Sequence, residues 1–311
     1  MRPRHWAAMG EGTFVAGIWA LFLLHGLLGR RAFRLMLWPV VACYWLARPG
    51  LRSDSLGYLR RLQGRAGWRD GLAHVHRFAD TMLDKMLAMA GRYPAAQVQE
   101  RGTEPVLQQA ATGRGAVLVT AHMGCLELCQ QLSLRHPGVV VNVLVHTRHA
   151  QAFNRILRRL NPQADVRLVE VTDLDMPLVL RLADKVAAGE FLAIAGDRVP
   201  VHGGRTVRVE FLGAPADFPV GPYLLASLLD CPLYLMLCLH EGPGYALEFE
   251  LLAQTVHLPR RDREQALTAL ATRYAQALTH RLHRSPHDWF NFYPFWAAGQ
   301  PDDHGSDPHP L

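Results

Sequence analysis

A histidine and a carboxylate lie five positions apart in the segment Val119-Thr-Ala-His-Met-Gly-Cys-Leu-Glu-Leu. Two helical residues at this spacing point about 140° apart, so His122 and Glu127 can meet only if the histidine lies on a turn before a helix. A carboxylate on one ring nitrogen fixes the tautomer and leaves the other nitrogen free to accept a proton. The pair therefore predicts a general base, although a histidine near an acidic residue is more often structural.

The residues before the histidine predict a buried strand. Ala116-Val-Leu-Val-Thr-Ala is a short apolar run typical of a central parallel strand, and catalytic residues of open α/β sheets lie beyond the carboxyl ends of such strands. Further strands are predicted at Val139–Val145, Val166–Val171, Phe191–Ala195, Leu233–Leu239 and Tyr245–Leu251. Helices are predicted at Gly71–Ala90, Leu126–Leu134, Ala150–Leu160, Pro177–Ala188, Val220–Leu229 and Arg263–Arg284.

This alternation predicts an α/β fold with a mixed, mostly parallel central sheet flanked by helices. The turn Glu241-Gly-Pro-Gly predicts that the last two strands form an antiparallel edge. We expect three parts: an apolar helical segment over 1–50, an α/β domain over 51–298, and a disordered polar tail over 299–311.

Composition limits the functional class. The 311 residues are 50% hydrophobic and carry a net charge of +6, which suits an anionic membrane surface or an acidic partner. There is no zinc-finger, RNA-recognition or basic-helix signature, so nucleic acid is not predicted. The five cysteines form no C-x-x-C pair, which indicates buried thiols in a reducing compartment. No histidine has companion ligands at zinc-like spacing, so no metal is predicted.

The start of the chain is strongly apolar. Thr13–Leu28 and Phe33–Leu46 are apolar stretches of about 15 residues each, shorter than the roughly 20 needed to span a bilayer. We expect a membrane-docking segment, either a helical hairpin or one tilted anchor helix; a pair of core helices and a single span stay open. A cleaved signal peptide is disfavoured, because no small-residue cleavage site follows and a second apolar segment continues directly. Basic side chains would meet lipid head groups, and aromatic ones an interface belt. These are Arg30, Arg31, Arg34 and Arg48, and Trp6, Trp19, Trp38, Tyr44 and Trp45.

Several segments together resemble the lysophospholipid acyltransferase superfamily. Thr120-Ala-His-Met-Gly-Cys-Leu-Glu127 is similar to its H-x-x-x-x-D/E block, and the order of later segments resembles the lipid A biosynthesis branch and the acyltransferases of aryl-polyene gene clusters. Those segments are the basic stretch 145–155, Ala195-Gly-Asp-Arg198, 209–216, Phe218-Pro-Val-Gly221 and Trp289-Phe-Asn-Phe-Tyr-Pro-Phe-Trp296. The F-P-E-G-[ST]-R block of glycerophosphate acyltransferases is absent, which argues against a simple glycerophosphate acceptor.

The resemblance implies direct transfer of an acyl group from a thioester to a hydroxyl or amine, with no resident cofactor. His122 would be the general base and Glu127 would orient it. Substrate-binding candidates are Arg148, Arg155, Asp197, Arg198, Gly213 and Gly221, of which the glycines fit turns equally well. The backbone N–H groups of Met123 and Gly124 are candidates for an oxyanion site.

The resemblance also implies partners and a location. The donor would be an acyl carrier protein or coenzyme A thioester and the acceptor a membrane lipid, at the cytoplasmic face of the bacterial inner membrane. Basic residues at 158–159 and 260–263 would favour the acidic carrier protein. Two alternatives stay open: a thioesterase that uses the same pair on water, and a non-catalytic lipid-binding protein.

Overall fold

The computed structural model describes residues 12–145, 167–171, 176–199 and 204–296. The predicted helix at 150–160, the candidates Arg148 and Arg155, and the polar tail lie outside these ranges. Within them, the predicted α/β architecture is confirmed, with helices on both faces of a mostly parallel sheet.

The central sheet has seven strands in the order β1-β9-β8-β2-β5-β3-β4, and all neighbours are parallel except β8 and β9. The strands of the molecule are β1 Val98–Arg101, β2 Val117–Thr120, β3 Val141–Val145, β4 Arg167–Glu170, β5 Phe191–Ala195, β6 Thr206–Phe211, β7 Ala214–Pro219, β8 Leu233–Glu241 and β9 Gly244–Ala253. Strands β6 and β7 form a separate antiparallel hairpin.

The predicted antiparallel edge needs correction. The β8–β9 pair is antiparallel as expected, but β1 pairs in parallel with the outer side of β9 and forms the edge itself. Strand β1 has only four residues, of which only Val98 is buried. A strand this short and polar carries no apolar pattern that would predict it.

The helices are α1 Gly12–Ala47, α2 Pro49–Gln63, α3 Trp68–Met89, α4 Glu104–Ala111, α5 Gln130–Arg135, α6 Met176–Ala187, α7 Gly221–Leu228 and α8 Arg263–Arg284. Strand β2 shows how they cover the sheet. Val117 and Val119 belong to the core beneath α2, α6, α7 and α8, whereas Leu118 belongs to the core beneath α1 and α3. Successive strand residues face opposite sides, so an unbroken apolar strand must be covered on both.

Helix α1 is broken at Gly29, whose φ is +77°, and it packs along α3. Its described residues divide into two faces. Phe33, Leu37, Val41 and Trp45 are buried in the core, whereas Leu27, Leu35, Val40 and Leu46 are exposed, with Leu27 at 83%. Among the described residues, no helix combines the length and apolar content that a membrane span requires.

Two of the arginines expected at lipid head groups pair with buried carboxylates of the protein. Arg30 Nη2 lies 2.6 Å from Asp84 Oδ2, and Arg34 Nη2 lies 2.7 Å from Asp80 Oδ2. Both carboxylates belong to α3 and are buried, so an arginine facing them is held there by charge. Trp45 is likewise buried and does not belong to an interface belt.

Candidate functional site

His122 lies on the turn that follows β2, as the spacing argument requires. A 3₁₀ turn, Leu126–Cys129, and α5 follow it. Gly124 has a φ of +56°, and a Cβ on it would lie 1.9 Å from the carbonyl oxygen of Cys238. Only glycine fits this close approach, so the sharp corner at His122 depends on it.

Asp197 is the carboxylate that contacts His122. It follows β5, which neighbours β2 in the sheet. Its Oδ1 lies 2.8 Å from His122 Nδ1, and its Oδ2 accepts the backbone N–H of His122 at 2.9 Å. Asp197 is fully buried, whereas 36% of the His122 side chain is exposed. The other ring nitrogen, Nε2, has no hydrogen-bond partner within the described ranges.

The segment 288–291 joins the two loops that carry this pair. Trp289 Nε1 and Asn291 Nδ2 each donate to Asp197 Oδ2 at 2.9 Å. On the histidine side, Phe290 N donates to the carbonyl of His122 at 2.9 Å, and Met123 and Trp289 form an isolated antiparallel bridge. Backbone and side-chain hydrogen bonds together therefore fix the geometry of the pair.

The surroundings set the protonation states. Burial would by itself raise the pKa of the Asp197 carboxyl, but His122 and Arg198 outweigh burial and hold that pKa well below its ordinary value. Burial is the largest effect on His122 and lowers its pKa despite the opposing charge of Asp197. At neutral pH the pair is thus an ionised carboxylate and a neutral imidazole. The proton of that imidazole is on Nδ1, since Nδ1 faces the carboxylate, so Nε2 is a free acceptor.

Glu127 contacts a lysine and does not contact His122. Its Oε1 lies 3.1 Å from Lys85 Nζ on α3, and its Oε2 accepts from the Cys125 thiol at 3.7 Å. The orienting contact expected for Glu127 is made by Asp197. The physical reason is position: the turn aims His122 toward the neighbouring strand end, whereas Glu127 faces α3. A catalytic role for Glu127 stays a prediction.

Arg198 is partly buried beside the pair. Its Nε donates to Asn291 Oδ1 at 2.6 Å and its Nη2 to the carbonyl of Phe290 at 2.8 Å. These contacts make Arg198 a support of the segment 288–291. Asp197 is fully buried, and its carboxylate accepts four hydrogen bonds from protein groups. Its side chain therefore does not reach an acceptor hydroxyl.

The remaining candidate residues either donate their backbone N–H groups within the protein or lie at turns and helix starts. Met123 N donates to the carbonyl of Ala121 at 2.7 Å, and Gly124 N to that of Asp288 at 2.9 Å, so both proposed oxyanion donors are engaged internally. Gly213 has a φ of +76° in the β6–β7 turn, directly after Leu212 with a φ of 51°. Two successive positive φ values are typical of a type I′ hairpin turn. Gly221 begins α7.

Three residues of the site are not predicted as site residues from the sequence, although two of them belong to the aromatic segment 289–296 that carries part of the resemblance. Trp289 and Asn291 lie in an aromatic stretch whose residues are usually core, and they act through a carboxylate about 90 positions earlier. Lys85 lies within an amphipathic helix, where a charged residue usually faces solvent. The feature that could indicate the role of Trp289 and Asn291 is that their side chains can donate hydrogen bonds within an otherwise apolar run.

This arrangement can abstract a proton from a substrate hydroxyl through Nε2. The Cys125 thiol, three positions after His122, is not a competing nucleophile, because burial raises the pKa of Cys125 well above its ordinary value. Within the described part of the chain, no group of three or more His, Cys, Asp or Glu side chains could hold a metal ion.

Comparison with known proteins points to lipid chemistry. The model of the family described as bacterial lipid A biosynthesis acyltransferase matches residues 72–297. The chain is 22% identical over 192 residues to a phosphatidylinositol mannoside acyltransferase of Mycolicibacterium smegmatis, covering 61% of this chain and 60% of that protein. It is 23% identical over 188 residues to the protein of the same name from Mycobacterium tuberculosis, covering 60% and 56%. The chain thus spans about 60% of the length of these curated relatives.

Proposed function

The chain belongs to the bacterial lipid A biosynthesis acyltransferase family, and on this premise we propose that it transfers a fatty acyl group from a thioester to a hydroxyl or amine of a lipid acceptor. The observation that carries the proposal is the geometry of His122. Its Nδ1 is fixed by a buried carboxylate, its Nε2 has no hydrogen-bond partner among the residues that the structure describes, and the side chain is 36% exposed. A neutral imidazole held in this way is suited to act as a general base.

The reaction follows from that geometry. His122 Nε2 takes the proton of the acceptor hydroxyl, and the oxygen attacks the thioester carbonyl carbon. Asp197 holds the ring and stabilises the imidazolium that forms. When the C–S bond breaks, the leaving sulfur takes the proton from Nε2, which restores the neutral base. No enzyme nucleophile is needed.

The proposed acceptor is a membrane lipid that carries a sugar. The two relatives are named for acylation of a phosphatidylinositol mannoside, and the family is named for lipid A, so both names refer to glycolipids. A pigment lipid is a separate candidate acceptor. The proposed donor is an acyl carrier protein or coenzyme A thioester. Arg260, Arg261 and Arg263 are exposed before and at the start of α8, as docking of an acidic carrier protein would require.

We also propose that α1 docks on the membrane surface that supplies the acceptor, at the cytoplasmic face of the inner membrane. The support is its exposed apolar face, which includes Leu27, Leu35, Val40 and Leu46. Flotation with phosphatidylethanolamine and phosphatidylglycerol vesicles tests this. The double substitution Leu35→Glu and Val40→Glu should lower the bound fraction, whereas Leu134→Glu, at an exposed leucine of α5, should not. Equal binding of all three proteins would contradict docking through α1.

The activity is tested with purified full-length protein, dodecanoyl thioesters of coenzyme A and of acyl carrier protein, and a lipid extract of the host membranes. We expect thiol release together with a new acylated lipid in the mass spectrum. His122→Ala should lower the rate by about 10²–10⁴-fold with the fold retained, whereas His283→Ala, at an exposed histidine of α8, should not.

Two other results would overturn acyl transfer. Thiol release with free fatty acid and no acylated lipid would identify a thioesterase. Retained lipid binding without any thiol release from either donor would identify a non-catalytic lipid-binding protein.

A further inference from the structure

Lys85 is a charged side chain at the histidine corner that the reaction described above does not use. It projects from α3, and its Nζ lies 3.1 Å from Glu127 Oε1. The Lys85 side chain is 26% exposed and that of Glu127 is 28% exposed, so both are partly accessible to solvent. Glu127 lies in the 3₁₀ turn that follows His122, so the ion pair holds the ammonium at the histidine corner, where its charge contributes to the lowered pKa of His122.

The reaction needs a donor that stabilises the oxyanion, and the backbone N–H groups of this corner do not supply it. Attack on a thioester carbonyl gives a tetrahedral intermediate with a negatively charged oxygen, which acyltransferring enzymes stabilise with preorganised donors. The N–H groups of residues 122–124 all donate to internal acceptors: His122 to Asp197, Met123 to Ala121 and Gly124 to Asp288. Arg198 directs its Nε and Nη2 to the segment 288–291.

The residue type is also unusual for this chain. Of the 33 lysine and arginine residues, only Lys85 and Lys185 are lysines. An ammonium is a compact point charge with three donors, whereas a guanidinium is a wide planar fork. Among the described residues, Glu127 is the only carboxylate that pairs with the ammonium, so donors are left there that can turn toward a small oxyanion.

We propose that Lys85 is a catalytic residue whose ammonium stabilises the oxyanion of the tetrahedral intermediate, and that Glu127 is the residue that positions it. This inference rests on the proposed acyl transfer. In the step concerned, the acceptor oxygen bonds to the carbonyl carbon, its proton moves to His122 Nε2, and the carbonyl π electrons move onto oxygen beside Lys85. When the carbonyl re-forms, the C–S bond breaks and the sulfur leaves with the proton from Nε2.

The carboxylate of the H-x-x-x-x-E segment thereby acts through a lysine. Burial would by itself lower the pKa of Lys85, but the Glu127 carboxylate outweighs burial and raises that pKa above its ordinary value. Lys85 is therefore charged throughout the working pH range. Removal of the Glu127 charge would leave the ammonium displaced and easier to deprotonate.

Single-residue variants test the proposal in the thioester assay, with dodecanoyl-coenzyme A and dodecanoyl-acyl carrier protein as donors. Lys85→Met should lower kcat by about 10²–10³-fold, with the KM for the donor changed by less than about threefold, because the oxyanion exists only during the reaction. Lys85→Arg should recover part of the rate, since it keeps the charge. Lys185→Met is the matched control: its side chain is 27% exposed and pairs with Glu190, and it should keep the wild-type kcat.

Glu127 is tested by the pH dependence of kcat. The wild type should keep its activity up to about pH 10, the ordinary range of a lysine. Glu127→Gln should lose activity at a lower pH, because the pKa of Lys85 falls when the carboxylate is removed. Loss of a merely structural contact would lower the rate equally at every pH.

The outcomes separate this inference from the proposed function. If Lys85→Met keeps kcat within about threefold of wild type while His122→Ala is inactive, acyl transfer stands and the role of Lys85 is overturned. A rise in KM alone would also overturn it, since the lysine would then bind substrate and not the oxyanion. If wild-type protein forms no acylated lipid, the proposed function itself fails.

Discussion

Asp288 accepts hydrogen bonds from both the backbone N–H and the ring Nδ1 of His240, at 2.5 and 2.7 Å. Asp197 holds His122 in the same way, but the two pairs differ in access. Only 8% of the His240 side chain is exposed, and Ser285 Oγ also donates to Asp288 at 2.6 Å. The His240 pair is therefore structural. It anchors the segment 288–291, which in turn supports Asp197.

Asp197→Asn should lower kcat by about 10²–10⁴-fold, because the amide loses the charge that fixes the tautomer and stabilises the imidazolium. The side chain keeps its size, so the protein should stay folded, as circular dichroism can check. Asp217→Asn, on β7 beside Arg208, is the control and should keep full activity. If Asp197→Asn retained the wild-type kcat while Glu127→Gln lowered kcat as much as His122→Ala does, Glu127 would be the orienting carboxylate.

The pH dependence of kcat/KM should show the protonation of His122. Burial lowers the pKa of His122, so the neutral base persists to more acidic pH and activity should fall only below about pH 6.5, the ordinary value for histidine. In Asp197→Asn the residual activity should persist to still lower pH, because the ionised carboxylate favours the imidazolium. An acid limb above pH 6.5 in the wild type would contradict a lowered pKa of His122.

Gly124→Ala should destabilise the protein and reduce activity. The new Cβ would lie 1.9 Å from the Cys238 carbonyl, and a φ of +56° is unfavourable for alanine, at a cost of about 1–3 kcal/mol. Gly57→Ala is the control, since this glycine lies inside α2 with nothing near its Cβ position. That change should stabilise by about 0.4–1 kcal/mol. Urea unfolding measures the free energy of unfolding of both variants. Equal values would show that the corner at Gly124 accommodates the new methyl group without strain.

The sequence predicts elements whose boundaries are marked by residue type. Strand β5 and helix α8 begin and end at the predicted residues. In β5 an unbroken apolar run ends at Gly196, where a Cβ would lie 2.5 Å from Val119 Cγ2. The hairpin β6–β7 was not predicted, although Thr206–Phe211 alternates between buried and less buried residues as a strand does. Helix α2 was missed because Gly50 and Gly57 weaken its apolar pattern.

The partner of His122 could not be read from the sequence, because it depends on strand order. Asp197 is 75 positions from His122, and the two meet because β2 lies beside β5. Neither residue's neighbours in sequence encode that adjacency. Glu127 is the carboxylate nearest to His122 in sequence, yet the two side chains contact different elements: His122 contacts Asp197 after β5, and Glu127 contacts Lys85 on α3. The position of His122 at a strand end, which depends only on local pattern, was predicted correctly.

His74 should make the protein unstable in acid. This histidine is fully buried, its Nδ1 lies 2.9 Å from Ser55 Oγ, and its Nε2 lies 2.9 Å from the carbonyl of Trp289. The carbonyl can only accept, so Nε2 carries the proton and the neutral ring helps to position the segment that supports Asp197. Burial lowers the pKa of His74 from 6.5 to about 3.

The consequence for stability follows from proton binding. Between about pH 6.5 and 3 the unfolded chain holds a proton on His74 that the folded chain does not, so the free energy of unfolding falls as the pH falls. The slope from this residue is about 1.4 kcal/mol per pH unit within that window and vanishes above it. His74→Gln can still donate to Trp289 and removes the titrating group. Urea unfolding at several pH values should show a shallower acid slope for this variant, whereas the exposed control His283→Gln should match the wild type. Equal slopes for all three proteins would mean that His74 is protonated in the folded state.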